Sequence, residues 1–279
     1  MIDFSGENMQ IWLQALPMAT FAGAVAIGAT MAIERWGGTI GGLLGTIPST
    51  IIPASLGLYM QSPSIEAYAQ AMDLVPAGML LNVLFLFAWR IVPPRLPFAS
   101  LSLALSAMTL ISLSFWLFGA LILVRVGEWW LGHYSTFFYG LMVTFVMLAL
   151  GIWSCVRNPP SPKGQRKVGL LTLLARGLLA AGAIALTIYI GAQGDSFVAG
   201  VVSVFPAIFL TTMASLWVSQ GRAVPAGAIG PMMLGANSIS VYALIAHFTL
   251  PALGLATGAL LAWLASIILI SVPAWLWLR

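Results

Sequence analysis

Two prolines stand among hydroxyl side chains inside long apolar runs of this sequence, and they are the first residues whose chemistry asks for an explanation. Pro48 is followed by Ser49 and Thr50, with Pro53 and Ser55 close behind, and Pro206 by Thr211, Thr212 and Ser215. A proline within a helix removes one backbone donor and crowds the carbonyl four residues earlier. At membrane depth the freed carbonyls persist only where protein or a water-filled cavity satisfies them. Pro48, Ser49, Thr50, Pro206, Thr211 and Thr212 are therefore expected to line a substrate site between two kinked helices. The competing reading gives the kinks to packing and lets each hydroxyl bond back to its own helix.

A second set of candidates carries charge or amide groups. Arg176 is expected about two turns inside an apolar run, where it either binds an anionic group in a cavity or snorkels to the interface. Asp73 is expected just before another run, as a proton-coupling carboxylate or as an interfacial helix start. Asn82, Asn237 and Ser238, with Ser240, place amides and hydroxyls within runs, where they bond a ligand or join helices. His133 and His247 are not spaced as a ligand pair, Met232-Met233 reads as core, and the single Cys155 allows no internal disulfide or cysteine cluster. No metal, cofactor or enzymatic constellation is expected, since GxSxG, HExxH and paired carboxylates are missing. Gly37, Gly38, Gly41, Gly42 and Gly45 form GxxxG spacings, which favour close helix packing over phosphate binding.

The elements that must hold these residues follow from composition. The 279 residues are 61% hydrophobic and only 6% charged, where soluble chains carry about 25% charged residues. Runs such as LLNVLFLFAW show no period-two alternation, so the expected fold class is an all-α polytopic membrane protein and not a β-barrel. Stretches of about 20 apolar residues cross a hydrocarbon core near 30 Å thick. Nine such spans are read: 11–33, 38–60, 74–92, 98–124, 134–156, 168–191, 196–219, 224–248 and 252–278. Trp36, Trp129, Trp130, Trp153, Trp217, Trp275 and Trp277 fall at their ends, as an aromatic belt would.

Charge orients the bundle. With nine spans, Arg35, Arg90, Arg95, Arg157, Lys163, Arg166, Lys167, Arg222 and Arg279 share one side, and Asp3, Glu7, Glu66, Glu128 and Asp195 share the other, with Arg125 the exception. The positive-inside rule then places the N-terminus outside and the C-terminus in the cytoplasm of a bacterial inner membrane. The net charge of +4 records topology, so membrane lipids and not nucleic acid are the expected surroundings. The opening MIDFSGENMQ is acidic and polar where a cleavable signal would be basic.

The chain also repeats itself. GGTIGGLLGTIPSTIIPASLGLYMQ (37–61) and SFVAGVVSVFPAIFLTTMASLWVSQ (196–220) each carry a Gly (Gly42, Gly200) six residues before the Pro and close on a Gln. A second echo pairs Val75-Pro76-Ala77-Gly78 with Val224-Pro225-Ala226-Gly227. Residues 1–126 are read as one four-helix repeat, 127–165 as a connector helix and linker ending in Asn158-Pro159-Pro160-Ser161-Pro162, and 166–279 as a second repeat. One extra crossing inverts the second repeat, the architecture of many secondary transporters.

The stretch Ala199-Gly200-Val201-Val202-Ser203-Val204-Phe205-Pro206 resembles the GlpM family of small bacterial membrane proteins, which carry AG and then FP at this spacing. Gly42 and Pro48 repeat part of the match, with Thr46-Ile47 before the proline. The resemblance implies a fused pair of GlpM-like units, similar in arrangement to the drug/metabolite transporter superfamily, whose small members form antiparallel homodimers. The buried acid in the first helix of small multidrug exporters has no counterpart here, which counts against proton-driven cation export. The expected function is alternating-access transport of a small or amphipathic, neutral or anionic solute. The alternative is a non-transporting scaffold of an envelope assembly pathway.

Overall fold

The computed structural model describes residues 6–36, 47–95, 100–131, 133–157, 169–220 and 224–278. The GxxxG glycines 37–45 and the proline linker 158–162 lie outside the described residues, as do the side chains of Glu34 and Arg35. The elements are α1 (Gly6–Trp36), α2 (Ile51–Gln61), α3 (Ile65–Ile91), α4 (Leu101–Leu131), α5 (Thr136–Val156), α6 (Leu170–Ala192), α7 (Ser196–Val202), α8 (Ala207–Gln220), α9 (Val224–Gly235) and α10 (Asn237–Leu253). A last hairpin partner, α11 (Leu255–Ser266), runs through a π segment (Ile267–Ser271) into α12 (Val272–Leu278). Apolar side chains on every face leave the backbone no partner but itself, so helix is the form this composition dictates.

Seven helical stretches among the described residues are long and apolar enough to cross a membrane. Two expected crossings are not in that set: 196–219, which holds Pro206, and 38–60, whose stretch ahead of residue 47 lies outside the described residues. Residues 47–50 and 203–206 are non-helical, so Pro206 sits in an outright break between α7 and α8 and not in a kink, while Pro48 stands in the non-helical lead into α2. The second echo does not share this correspondence, because Pro76 lies well inside the continuous α3 while Pro225 opens α9.

Burial separates the centre from the rim. Within the candidate spans, 83% of the α3 window and 78% of the Gly227–Leu253 window are buried, against 24–39% for the other five. The rim helices turn apolar side chains such as Leu171, Leu178, Phe118 and Phe145 outward, as lipid requires. α3 begins cleanly because Ser64 caps it, accepting from the Ala67 N–H at 3.1 Å, and Arg90 stands in its last turn, where a cation complements the helix dipole.

Contacts fix the helix directions. Thr136 meets Asp73 at one end of the α3–α5 pair and Ser154 meets Arg90 at the other, so α3 and α5 run parallel. Gly140 faces Leu244 and Gly151 faces Leu234, which makes α9–α10 antiparallel to both. Gly200 faces Ala71 and Gly78 faces Val201, so α7 runs with α3. On the other flank Trp12 stacks on Tyr189 at 4.8 Å and a Cβ at Gly23 would lie 2.9 Å from the Gly177 carbonyl; α1 and α6 are antiparallel and touch backbone to backbone. Only Gly–Gly contact permits that approach. The α6–α7 reversal is a tight turn at Gly194 (φ 86), followed by Asp195, which caps α7 by accepting from the Val198 N–H at 3.0 Å.

Trp217 departs from the expected aromatic belt. It is fully buried, edge-on to Trp89 at 5.3 Å, because α8 starts only after the break and carries this residue into the core.

Candidate functional site

The two proline segments open onto one cavity of about 50 Å³, room for a few water molecules. Ser49, Thr50 and Ile51 line it from the first and Ser203, Val204 and Phe205 from the second, with Asn82 of α3 and Ala180 and Ile184 of α6 completing the wall. Three of the expected residues, Ser49, Thr50 and Asn82, are thus brought together by segments far apart in the chain. Pro48 and Pro206 are buried within these segments.

Asn82 explains how the second break is tolerated. Its amide donates to the Val204 carbonyl at 2.7 Å, and its own oxygen accepts from the Trp116 indole N–H of α4 at 2.9 Å. Val204 belongs to the stretch where the helical ladder stops, so its carbonyl takes from α3 the partner it lacks locally. Phe205 then packs edge-on against Trp116 at 5.4 Å. Ser203 bonds locally instead, donating to the Gly200 carbonyl at 2.6 Å. In the first segment, Thr50 stands at the head of α2 without a side-chain cap. Ser55, one turn further, donates to the Ile52 carbonyl at 2.9 Å and accepts from the Tyr242 hydroxyl of α10 at 2.7 Å.

Other candidates fall elsewhere. Thr211 donates to the Ala207 carbonyl at 2.8 Å, the back-bonding reading, and neither it nor Thr212 lines the cavity. Asn237 donates to the Met233 and Leu234 carbonyls at 3.3 and 3.0 Å across the α9–α10 joint, and neither it nor the buried Ser238 lines the cavity. Arg176 is buried, with 2% of its surface exposed, which decides against snorkelling. One helical turn separates it from Ala180, so it extends the α6 face that lines the cavity.

Asp73 is corrected most. It lies inside α3 and not ahead of it, 1% exposed, with one carboxylate oxygen accepting from the Thr136 hydroxyl at 2.6 Å and the other 2.7 Å from His247 Nδ1. His247 was not among the expected site residues. The available signal was its position as an ionisable side chain inside an apolar run, which by itself marks a functional candidate in a membrane protein.

No family model matches the chain, and no curated protein or solved structure matches it.

Proposed function

We propose that the protein is a secondary transporter of the bacterial inner membrane that carries a small or amphipathic anion by alternating access. The observation that carries this reading is the shared cavity: a helix broken at Pro206 and the non-helical segment at Pro48 meet there, lined by Ser49, Thr50, Asn82 and Ser203. A scaffold protein would be expected to have a dry, close-packed centre, and the cavity favours transport over that alternative.

Electrostatics narrow the solute class. The heads of α2 and α8 both reach the cavity, through Thr50 and Ile51 and through Ala207 and Phe209. A helix N-terminus carries partial positive charge, and half-helices aimed at a midplane site are how several transporter folds hold anionic groups. Arg176 adds a full positive charge one turn away on the α6 face. These features support an anion over a neutral solute. The cavity as it stands is smaller than an organic anion, so the solute enters as the surrounding helices move apart.

The helix directions support nine alternating crossings in two inverted four-helix repeats around a connector. α3, α5 and α7 run one way and α9–α10 the other, and the two proline segments face one cavity. The N-outside, C-inside orientation and descent from a fused pair of GlpM-like units belong to the same proposal.

Transport into proteoliposomes tests it. Vesicles containing the purified protein are offered inorganic phosphate, short-chain carboxylates and alkyl sulfonates, and uptake is compared with Arg176→Ala and Pro206→Ala vesicles. Saturable uptake of at least one anion, reduced by both substitutions, is the expected result. Uptake indifferent to both substitutions would remove the proposed site.

A further inference from the structure

The Asp73–His247 pair lies apart from the cavity, and its surroundings suggest a task of its own. Asp73 is sealed in, while His247 keeps 20% of its side chain exposed on an open groove of about 450 Å³ lined by Ile65, Glu66, Ala69, Phe248 and Pro251. The imidazole uses Nδ1 on the carboxylate and is held from two sides by Phe137 (5.7 Å) and Phe248 (4.2 Å). That leaves Nε2 as the ring atom able to exchange protons with groove water. The side bearing this groove is the outer one by the charge distribution.

We propose that Asp73 and His247 form a proton-binding site, loaded from the outer groove through the imidazole, that supplies the coupling ion of the transporter. The coupling half of this statement rests on the transport reading; the proton site does not. The step balances simply. A proton from groove water bonds to Nε2 of neutral His247, and the Nδ1 proton passes to the Asp73 carboxylate. The products are a neutral imidazole of the opposite tautomer and a neutral carboxyl, with one proton gained and one buried negative charge removed.

The location gives that charge change a mechanical consequence. α3 and α5 are joined at both ends, by Asp73–Thr136 outside and by Arg90 inside, which donates to the Ser154 carbonyl at 3.1 Å and to the Arg157 carbonyl. α10 is held to that pair at the outer end by His247 and by the Tyr68 hydroxyl, which donates to the Ala246 carbonyl at 3.1 Å. A charge-assisted hydrogen bond is roughly twice as strong as a neutral one, so protonation loosens the outer contact between α3 and α10. Other titratable groups on the packed elements are Glu66 on the groove rim, Tyr139 on α5, Tyr242 on α10 and Tyr59 on α2. Asp195 heads α7, and Arg125 and His133 are exposed at the outer end of α4 and in the turn beyond it.

Infrared difference spectroscopy on the purified protein in lipid nanodiscs reads the proton directly. Acidification from about pH 8 to about pH 5, the range in which histidine exchanges protons, is expected to raise the carbonyl band of a protonated carboxyl group. That band shifts on 13C-aspartate labelling and disappears in Asp73→Asn. After a pH jump, His247→Gln is expected to slow its appearance about 100-fold or more, the scale on which a positioned proton-transfer group acts, while His133→Gln, the same change at a histidine bonded to the Trp129 carbonyl and outside the pair, does not. A band that survives in Asp73→Asn, or one that forms as fast in His247→Gln as in the wild type, overturns the site. Solute uptake insensitive to both substitutions and to a pH gradient overturns the coupling, whereas a protein that loads the proton but carries no solute overturns the transport reading alone.

Discussion

Replacing Asn82 with alanine removes the side chain that hydrogen-bonds the second break to α3 and α4 at once. Two bonds disappear together, the 2.7 Å donation to the Val204 carbonyl and the 2.9 Å acceptance from Trp116, and both orphaned groups remain buried. Hydrogen bonds between membrane helices are worth about 0.6 kcal/mol on average and about 1.7 at most, and a buried group left unpaired costs about 1–3 kcal/mol. A loss of about 1–3 kcal/mol for Asn82→Ala is therefore expected, measured by reversible unfolding in mixed micelles. Trp116→Phe keeps most of the ring packing and removes only the N–H. A cycle with the double variant should return a coupling of about 0.6–1.7 kcal/mol. A second readout follows the break itself: in a Cys155→Ser background, which removes the only native thiol, Ser203→Cys should be modified faster when Asn82 is absent. Wild-type stability in Asn82→Ala together with zero coupling would refute the account of how the break is held.

Further predictions concern the anion, the helix contacts and the core. Arg176→Ala should weaken binding of a transported anion by about 10- to 150-fold, the equivalent of a charged hydrogen bond worth about 1.5–3 kcal/mol, read as a rise in apparent Kd by calorimetry, with Arg176→Lys recovering part of the loss. At Gly140 an added methyl would collide with the Asp73 carbonyl, so Gly140→Ala should cost about 1–3 kcal/mol of stability by overpacking, visible as a lowered Tm. Trp217→Ala should cost about 3–5 kcal/mol, since the ring is fully buried, whereas the same change at the exposed Trp129 should be close to neutral in the same melt.

What could be read from the sequence was local, and what could not was the pairing of distant groups. Pro48 and Pro206 announce their non-helical segments because a proline acts on the turn around it, and the place of Ser49 and Thr50 on the cavity wall follows from their position beside Pro48. Asn82 could be placed in a span but not aimed, since its partner lies 122 residues away. The same holds for Asp73 and His247, separated by 174 residues: nothing local to either one points to the other. Counting from a span's end misjudged Trp217, because α8 does not begin where the apolar run does. For Thr211 the competing reading holds, as its hydroxyl donates to the Ala207 carbonyl of its own helix.

The bond from Asn82 to Val204 also bears on how the chain is made. α7 and the break behind it lean on α3, and α2 leans on α6 through Gly57 and Ile188, so each proline-flanked segment finds part of its support in the opposite half of the polypeptide. During synthesis the stretch from α2 to α3 leaves the ribosome first and must wait in the bilayer for α6, while α7 and α8 emerge to find α3 already in place. The early half thus acts as a template for the late one, and a chain cut in the linker between α5 and α6 should assemble only when both pieces are made together.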